Sequence, residues 1–360
     1  MKKQNPWLRT AVCAALAAIV FVLCRVAPSV PQLVERLYSQ GVYKLWAQVS
    51  STVTGLLPVS LSEIALLVLL PAALIVSIVR WARRRIGWQQ FVSGWLAAAL
   101  AAYALFYGGW GLNYSRLPYA SIAGLDTAPV EVDKVEELTR SLAAQANALR
   151  AQLDEGDGAY ALTCSRRDVL IKVNEAYAAA SARYPWLSGH YGAPKFALLS
   201  TPLAHLNIAG IFSPFTMEAH VNAHEADVLL AATAMHEAAH LRGFAREDEA
   251  NYIAYAVCME SDDPYVRYSG TILGLIYAGN ALNGSDPDAY RAVWETYSPG
   301  VVSDLRAYSA AWAPYKGKAS EVGDKMNDAY LKANNQTDGV KSYGRMVDLM
   351  IAQMRKDRGE

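Results

Sequence analysis

No excess of either charge marks this sequence: 33 Lys and Arg stand against 33 Asp and Glu in 360 residues. Binding through nucleic-acid phosphates needs a basic surplus, and no helix-turn-helix or zinc-finger pattern occurs, so nucleic acid is excluded as a partner. Cysteine is scarce as well. Cys13 and Cys24 lie in an apolar stretch, Cys164 and Cys258 stand far apart, and none has CxxC spacing, which excludes a cysteine-built zinc site. Cys164 and Cys258 read as two separate buried thiols, with a disulfide as the alternative if that part of the chain lies outside the cytoplasm. Internal repeats and low-complexity segments are also missing. Histidine occurs only six times, so two histidines at a fixed spacing carry information.

Charge is unevenly distributed. Residues 1–112 are dominated by Ala, Leu, Val, Ile and Trp, whereas residues 113–360 spread their charges as a water-facing domain does. Three stretches approach the roughly 20 apolar residues that cross a bilayer: 10–27, 61–79 and 91–112. Arg25 ends the first and can snorkel, Pro71 lies inside the second, and the third has no charge. Arg80, Arg83, Arg84 and Arg85 crowd the loop between the second and third, and Lys2, Lys3 and Arg9 precede the first. The positive-inside rule puts both basic segments in the cytoplasm, so three crossings put everything after Leu112 outside it. The first stretch is read as an uncleaved anchor, because no small-x-small cleavage site follows its core. Residues 32–59 are mixed in character and predict an external helix lying along the membrane or against the second domain. Glu63 reads as an interfacial residue.

The second half predicts helices over 130–153 and 166–183, then short strands over 196–201, 206–212 and 217–222. Helices follow over 225–242, 247–260, 264–283, 287–296, 300–314, 319–335 and 340–355. An alternative reading is an intramembrane protease with the histidine helix within a span, for which the uncharged run from Tyr268 to Ser285 offers a fourth crossing.

The chemistry is concentrated in His236-Glu237-Ala238-Ala239-His240. Four residues make slightly more than one helical turn, so His236 and His240 leave the same face and can hold one metal ion. Zn2+ is the expected cofactor for two imidazoles and a carboxylate, although ligand type does not exclude another divalent cation. Glu237 is placed as general base toward a metal-activated water. Val228 to Ala232 are apolar, so the helix is expected to be buried, and buried imidazoles need a partner. Gly243 can close the helix in a left-handed cap. The acidic run Glu247-Asp248-Glu249 then offers a third ligand. On a helix built around Ala250, Ile253, Ala254 and Val257, Asp248 faces water, while Glu247 and Glu249 flank the stripe; periodicity leaves both open. Whichever of the two is not a ligand is expected to orient a ligand histidine. His220, His224, Tyr330, Tyr343 and Arg345 are candidates to stabilise an oxyanion.

Three runs carry a resemblance. They are Trp110-Gly111-Leu112-Asn113-Tyr114-Ser115-Arg116; Pro214-Phe215-Thr216-Met217-Glu218-Ala219 through the histidine helix to Glu249-Ala250-Asn251; and Tyr330-Leu331-Lys332-Ala333-Asn334 through Gly339 to Arg345. Together they resemble a bacterial membrane-anchored, zincin-like family of unknown function (domain of unknown function 3810). The middle run is also similar to zincins in which a Glu-Ala-Asn helix supplies the third ligand, which implies Glu249 in that role. The implied fold is a three-span α-helical membrane anchor followed by a mostly α-helical, zincin-like α+β domain with a small sheet before the metal helix. The implied activity is hydrolysis of a peptide or protein substrate near the lipid bilayer of a bacterial cell. A zinc-stabilised, non-catalytic scaffold module of a membrane complex is the competing expectation.

Overall fold

The computed structural model describes residues 5–128, 130–153, 156–333 and 345–360. It is mostly helical, and its chain forms two compact units: residues 1–117 with 213–218, and residues 118–212 with 219–360.

Three helices of the first unit are long and apolar enough to cross a membrane: Leu8–Ser29, Leu61–Ala82 and Trp88–Gly109. Their regular cores are α1 (Leu8–Val26), α3 (Leu61–Ala82) and α4 (Trp88–Gly109), with α2 (Tyr43–Gly55) between the first two. α1 and α4 run parallel. Near their starts Thr10 Oγ1 donates to the Ser93 carbonyl at 2.9 Å, and near their ends a Cβ on Gly108 would sit 3.2 Å from Val20 Cγ2. Parallel first and third spans are what three successive crossings require.

The stretch expected as one helix over 32–59 is helical from 31 to 55, with a π-helical segment over Val34–Val42. That segment packs on the end of α4. Tyr38 Oη donates to the Gly108 carbonyl at 3.0 Å, Ser39 Oγ donates to Asn113 Oδ1 at 2.8 Å, and the Arg116 guanidinium grips the Glu35 carboxylate at 2.7 and 2.9 Å. These bonds hold residues 113–117 in the first unit, which runs to Leu117. Residues 213–218 also join this unit. Glu218 accepts from the backbone N–H groups of Leu61 and Ser62 at 3.1 and 3.0 Å, placing a carboxylate on the N-terminal dipole of α3.

The second unit begins with α5 (Tyr119–Ala123), α6 (Val132–Leu153) and α7 (Arg166–Ala180). Leu138, Leu142, Ala146 and Leu149 recur every third or fourth residue on α6 and are buried, as the sequence period predicts. Three short strands follow: β1 (Lys195–Phe196), β2 (Gly210–Ser213) and β3 (Glu218–Val221), in the order β1-β3-β2. β1 and β3 are parallel, with Lys195 opposite His220. Only four residues join β2 to β3, too few for a parallel crossover, so that pair is antiparallel. The strands are shorter than their sequence windows. Ser200 begins α8 (Ser200–His205) because its hydroxyl bonds back to the Ala197 carbonyl at 2.6 Å and turns the chain out of the sheet.

From there the chain is helical: α9 (Leu230–Leu241), α10 (Glu247–Met259), α11 (Pro264–Ser285), α12 (Pro287–Trp294), α13 (Pro299–Trp312), α14 (Lys318–Ala333) and α15 (Arg345–Arg358). α11 contains the run that left room for a fourth crossing. Tyr268, Ile272, Leu275 and Leu282 are packed into the protein core of this unit, so its apolar character is spent on neighbouring helices rather than lipid. Cys164 and Cys258 are both free; Cys258 is buried as expected, whereas Cys164 is only half-buried.

Candidate metal centre

The site is built by a helix, its cap and the helix that follows. α9 is held in the core by Leu230, Ala231, Ala234, Met235 and Ala238, all essentially inaccessible. It ends where the sequence places its cap. Gly243 adopts φ +83°, Gly243 N–H bonds to the His240 carbonyl at 2.9 Å, and Phe244 N–H reaches the Ala239 carbonyl at 3.1 Å. This pair of bonds is the Schellman arrangement, which needs a residue free of the left-handed penalty at that position. The turn has a chemical consequence. It folds the Phe244 carbonyl back over the helix end, where it meets His240 Nδ1 at 2.7 Å. A carbonyl only accepts, so Nδ1 carries a proton, and Nε2 is the ring nitrogen that faces the site.

His236 and His240 present their Nε2 atoms to each other at 3.0 Å, with ring planes at 88°. The Glu247 carboxylate closes the triangle, Oε2 at 3.3 Å from His236 Nε2 and Oε1 at 3.5 Å from His240 Nε2. Among the described residues, this is the one group of three His, Cys, Asp or Glu side chains whose donor atoms converge closely enough for a metal ion.

The carboxylate that converges with the two imidazoles is Glu247, whereas Glu249, the third ligand that the resemblance implies, does not join them. Glu249 Oε1 instead accepts from the Tyr119 backbone N–H at 2.8 Å and from Arg246 Nη1 at 2.7 Å, tying the start of α5 to α10. Among the described residues no hydrogen bond or ion pair joins it to His236 or His240, and the group that meets His240 Nδ1 is the Phe244 carbonyl. The expectation for Asp248 is corrected. It is buried rather than facing water, and burial together with the adjacent Glu249 charge pushes its carboxyl up to about 6.

Glu237 lies one residue along from the first imidazole. The residue is 4% exposed, and Oε2 has no hydrogen-bond partner. Burial pushes it up to about 7, while His236 and His240 pull in the opposite direction. β2 passes directly against it, so that a Cβ on Gly210 would lie 2.7 Å from the Glu237 Cδ and Cγ atoms. Any larger residue there would require the Glu237 side chain to move. The sequence offered Gly210 as one of several glycines between Trp186 and Val221, with no local signal that it abuts the carboxylate.

The three converging groups are strongly coupled. Burial opposes protonation of His240, but the Glu247 charge outweighs it and lifts the imidazole to about 9. Burial likewise opposes ionisation of Glu247, and the two imidazoles, His240 foremost, overcome it and hold that carboxyl far below the usual range. The side chains of His236, His240 and Glu247 remain 13%, 8% and 19% exposed, so the site is reachable from solvent.

Of the oxyanion candidates, His220 is buried on β3 with Nδ1 3.2 Å from the Ile211 carbonyl. His224 lies against Thr201 Oγ1 at 3.0 Å and beside the Tyr315 ring. Neither joins the triangle. Arg345 begins α15, and its charge bears on Asp248. Tyr343, Asn334 and the run from Gly339 to Gly344 lie outside the described residues, and Tyr330 belongs to α14.

No curated protein and no solved structure is significantly similar to the chain. The profile of the family described as "Protein of unknown function (DUF3810)" matches residues 38–351, from the π-helical segment of the first unit through the converging triad to α15, and the chain belongs to that family.

Proposed function

We propose that this chain is a membrane-anchored metallopeptidase of the zincin type, in which His236, His240 and Glu247 hold a zinc ion and Glu237 carries the proton. The supporting observation is the donor triangle, with separations of 3.0, 3.3 and 3.5 Å. Ligands about 2.0–2.2 Å from a tetrahedral zinc stand about 3.3 Å apart, so the three groups fit the ion as they lie. Three donors leave one tetrahedral position for water or substrate, the pattern of catalytic rather than structural zinc. A bound cation of this kind supplies Lewis acidity toward a carbonyl oxygen and an attacking water.

The chain's own residues supply the rest. Glu237, with one unpaired oxygen and a carboxyl raised to about 7, can accept a proton and return it to a leaving amine near neutral pH. Gly210 keeps side chains away from that carboxylate, and β2 is an edge strand of the sheet. An edge strand offers alternating N–H and C=O groups to an extended peptide, which favours a peptide or protein substrate without demanding one sequence. The arginine-rich loop after α3 supports the same reading, because the positive-inside rule favours that loop in the cytoplasm and hence the second unit on the outside of a bacterial cell membrane.

Metal analysis of the purified protein tests the site. Wild type is expected to hold about one zinc per chain. Glu247→Ala and His240→Ala should lose it, and Glu249→Ala should keep it. Peptide cleavage should disappear in Glu237→Gln while the metal stays. Bound metal without turnover against broad peptide libraries would replace the enzyme with a zinc-stabilised scaffold.

A further inference from the structure

α2 is amphipathic in the reverse sense from a helix on the surface of a water-soluble protein. Its buried face carries Tyr43, Ala47 and Ser51, each no more than 1% exposed. The face it turns outward carries Leu45, Trp46, Val49 and Val53, and the chain continues through Leu56 and Leu57; all six are between 42% and 79% exposed. Contiguous exposure of large apolar side chains marks a surface that meets something other than water.

The ends of this segment show what it cannot be. Tyr43 Oη lies 4.0 Å from Met217 Sδ, and the Leu61 and Ser62 N–H groups bond to Glu218. Adjacent residues thus hold both the start of α2 and the start of α3. A crossing segment would separate its ends by the roughly 30 Å of the hydrocarbon layer. Thirteen helical residues advance about 20 Å, and five extended residues bring the chain back by at most about 17 Å. The segment leaves and returns on one side.

That side is fixed by the same unit. The π-helical segment before α2 is bonded to the end of α4 through Tyr38 to Gly108 and Glu35 to Arg116. From the outward face the chain runs through exposed Leu56, Leu57 and Val59 straight into α3, whose Leu66, Leu67, Val68 and Leu69 are exposed as well. We infer that 43–60 is a membrane-inserted loop: α2 lies in the bilayer leaflet at the C-terminal end of α4, its outward face against acyl chains and Trp46 at the headgroup boundary. The occupant of the face is lipid, not a second protein. Zinc binding plays no part in this inference.

Nitroxide scanning of the full-length chain in phosphatidylcholine–phosphatidylglycerol vesicles tests it. Cys13, Cys24 and Cys164 are replaced by Ala, the buried Cys258 is left, and single labelled cysteines are placed at Leu45, Val49 and Val53. Leu67 in α3 serves as the lipid reference and Asp288 as the water reference. Labels on α2 should collide readily with oxygen and poorly with a water-soluble nickel chelate, as at position 67. Accessibility to the chelate like that at position 288 would overturn the inference, and so would protection from both reagents, which would mean a protein partner or a second copy. Each labelled variant must keep the helical signal and melting temperature of the parent; because the three positions are outward-facing, loss of fold in all three would also contradict the assignment.

Discussion

Glu237 Oε2 is buried without a hydrogen-bond partner, beside a glycine that cannot shield it, so its charge is held where solvent cannot stabilise it. Such a group weakens the fold in proportion to its raised proton affinity. Lifting a carboxyl from 4.5 to about 7 corresponds to about 3 kcal/mol lost once the pH exceeds the folded value. Metal-free Glu237→Gln should accordingly be more stable than the parent at pH 8 by up to about 3 kcal/mol, with the difference vanishing near pH 4.5, where the parent carboxyl is neutral. Chemical denaturation in chelator at both pH values measures this, and equal midpoints at pH 8 would show that Glu237 is solvated. The two imidazoles and Glu237 were legible because helical spacing fixes them. Glu247 was not, because helical angles placed Glu247 and Glu249 equally, and the choice between them rests on where the Tyr119 backbone and Arg246 lie in space.

At the level of elements, α10 explains why periodicity failed. Asp248, Glu249, Ala250, Asn251, Tyr252, Ile253 and Ala254 are consecutive and all buried, so the helix has no water-facing side from which a pattern could be read. The strands failed for a different reason: Ser200 and the four-residue β2–β3 turn cut them short through local hydrogen bonds that apolar content does not encode. By contrast, α6 was read to within two residues, since one of its faces does meet water. Its attachment to α13 gives a test. Arg150 is buried against Asp304 at 2.9 Å, and Asp304 also accepts from Tyr268 Oη at 2.6 Å and from Tyr160 N–H. Asp304→Ala leaves a buried guanidinium without its counter-charge and should cost about 3–5 kcal/mol in a thermal or denaturant melt. Asp288→Ala, which removes the exposed Arg291 pair, should cost no more than about 1 kcal/mol. Similar losses for the two would mean that the Arg150 cluster is solvated.

For the whole molecule, the three long helices were plain in the sequence because lipid demands continuous apolar length, whereas the division after Leu117 depended on ion pairs and hydrogen bonds between distant residues. In the proposed metal site, cation, protons and fold are coupled across the whole molecule. Without a cation, the groups of the second unit that hold protons more tightly folded than unfolded include Glu237 at about 7, Asp248 at about 6 and His240 at about 9. Each contributes stability that is complete below its unfolded value and is lost as pH rises through its folded one, so all three act in the same direction. The metal-free chain should lose stability between about pH 4 and pH 9. A cation reverses that trend, because it must displace the His240 proton, and its apparent affinity should rise by up to about tenfold per pH unit until about pH 9. Since ligand binding adds RT ln(1 + [L]/Kd), the gap between melting temperatures with zinc and with chelator should widen steadily from pH 6 to pH 9. Melting curves of the detergent-solubilised full chain in both conditions measure the gap, and one that stays constant or narrows would show that His240 and Glu247 do not share a cation.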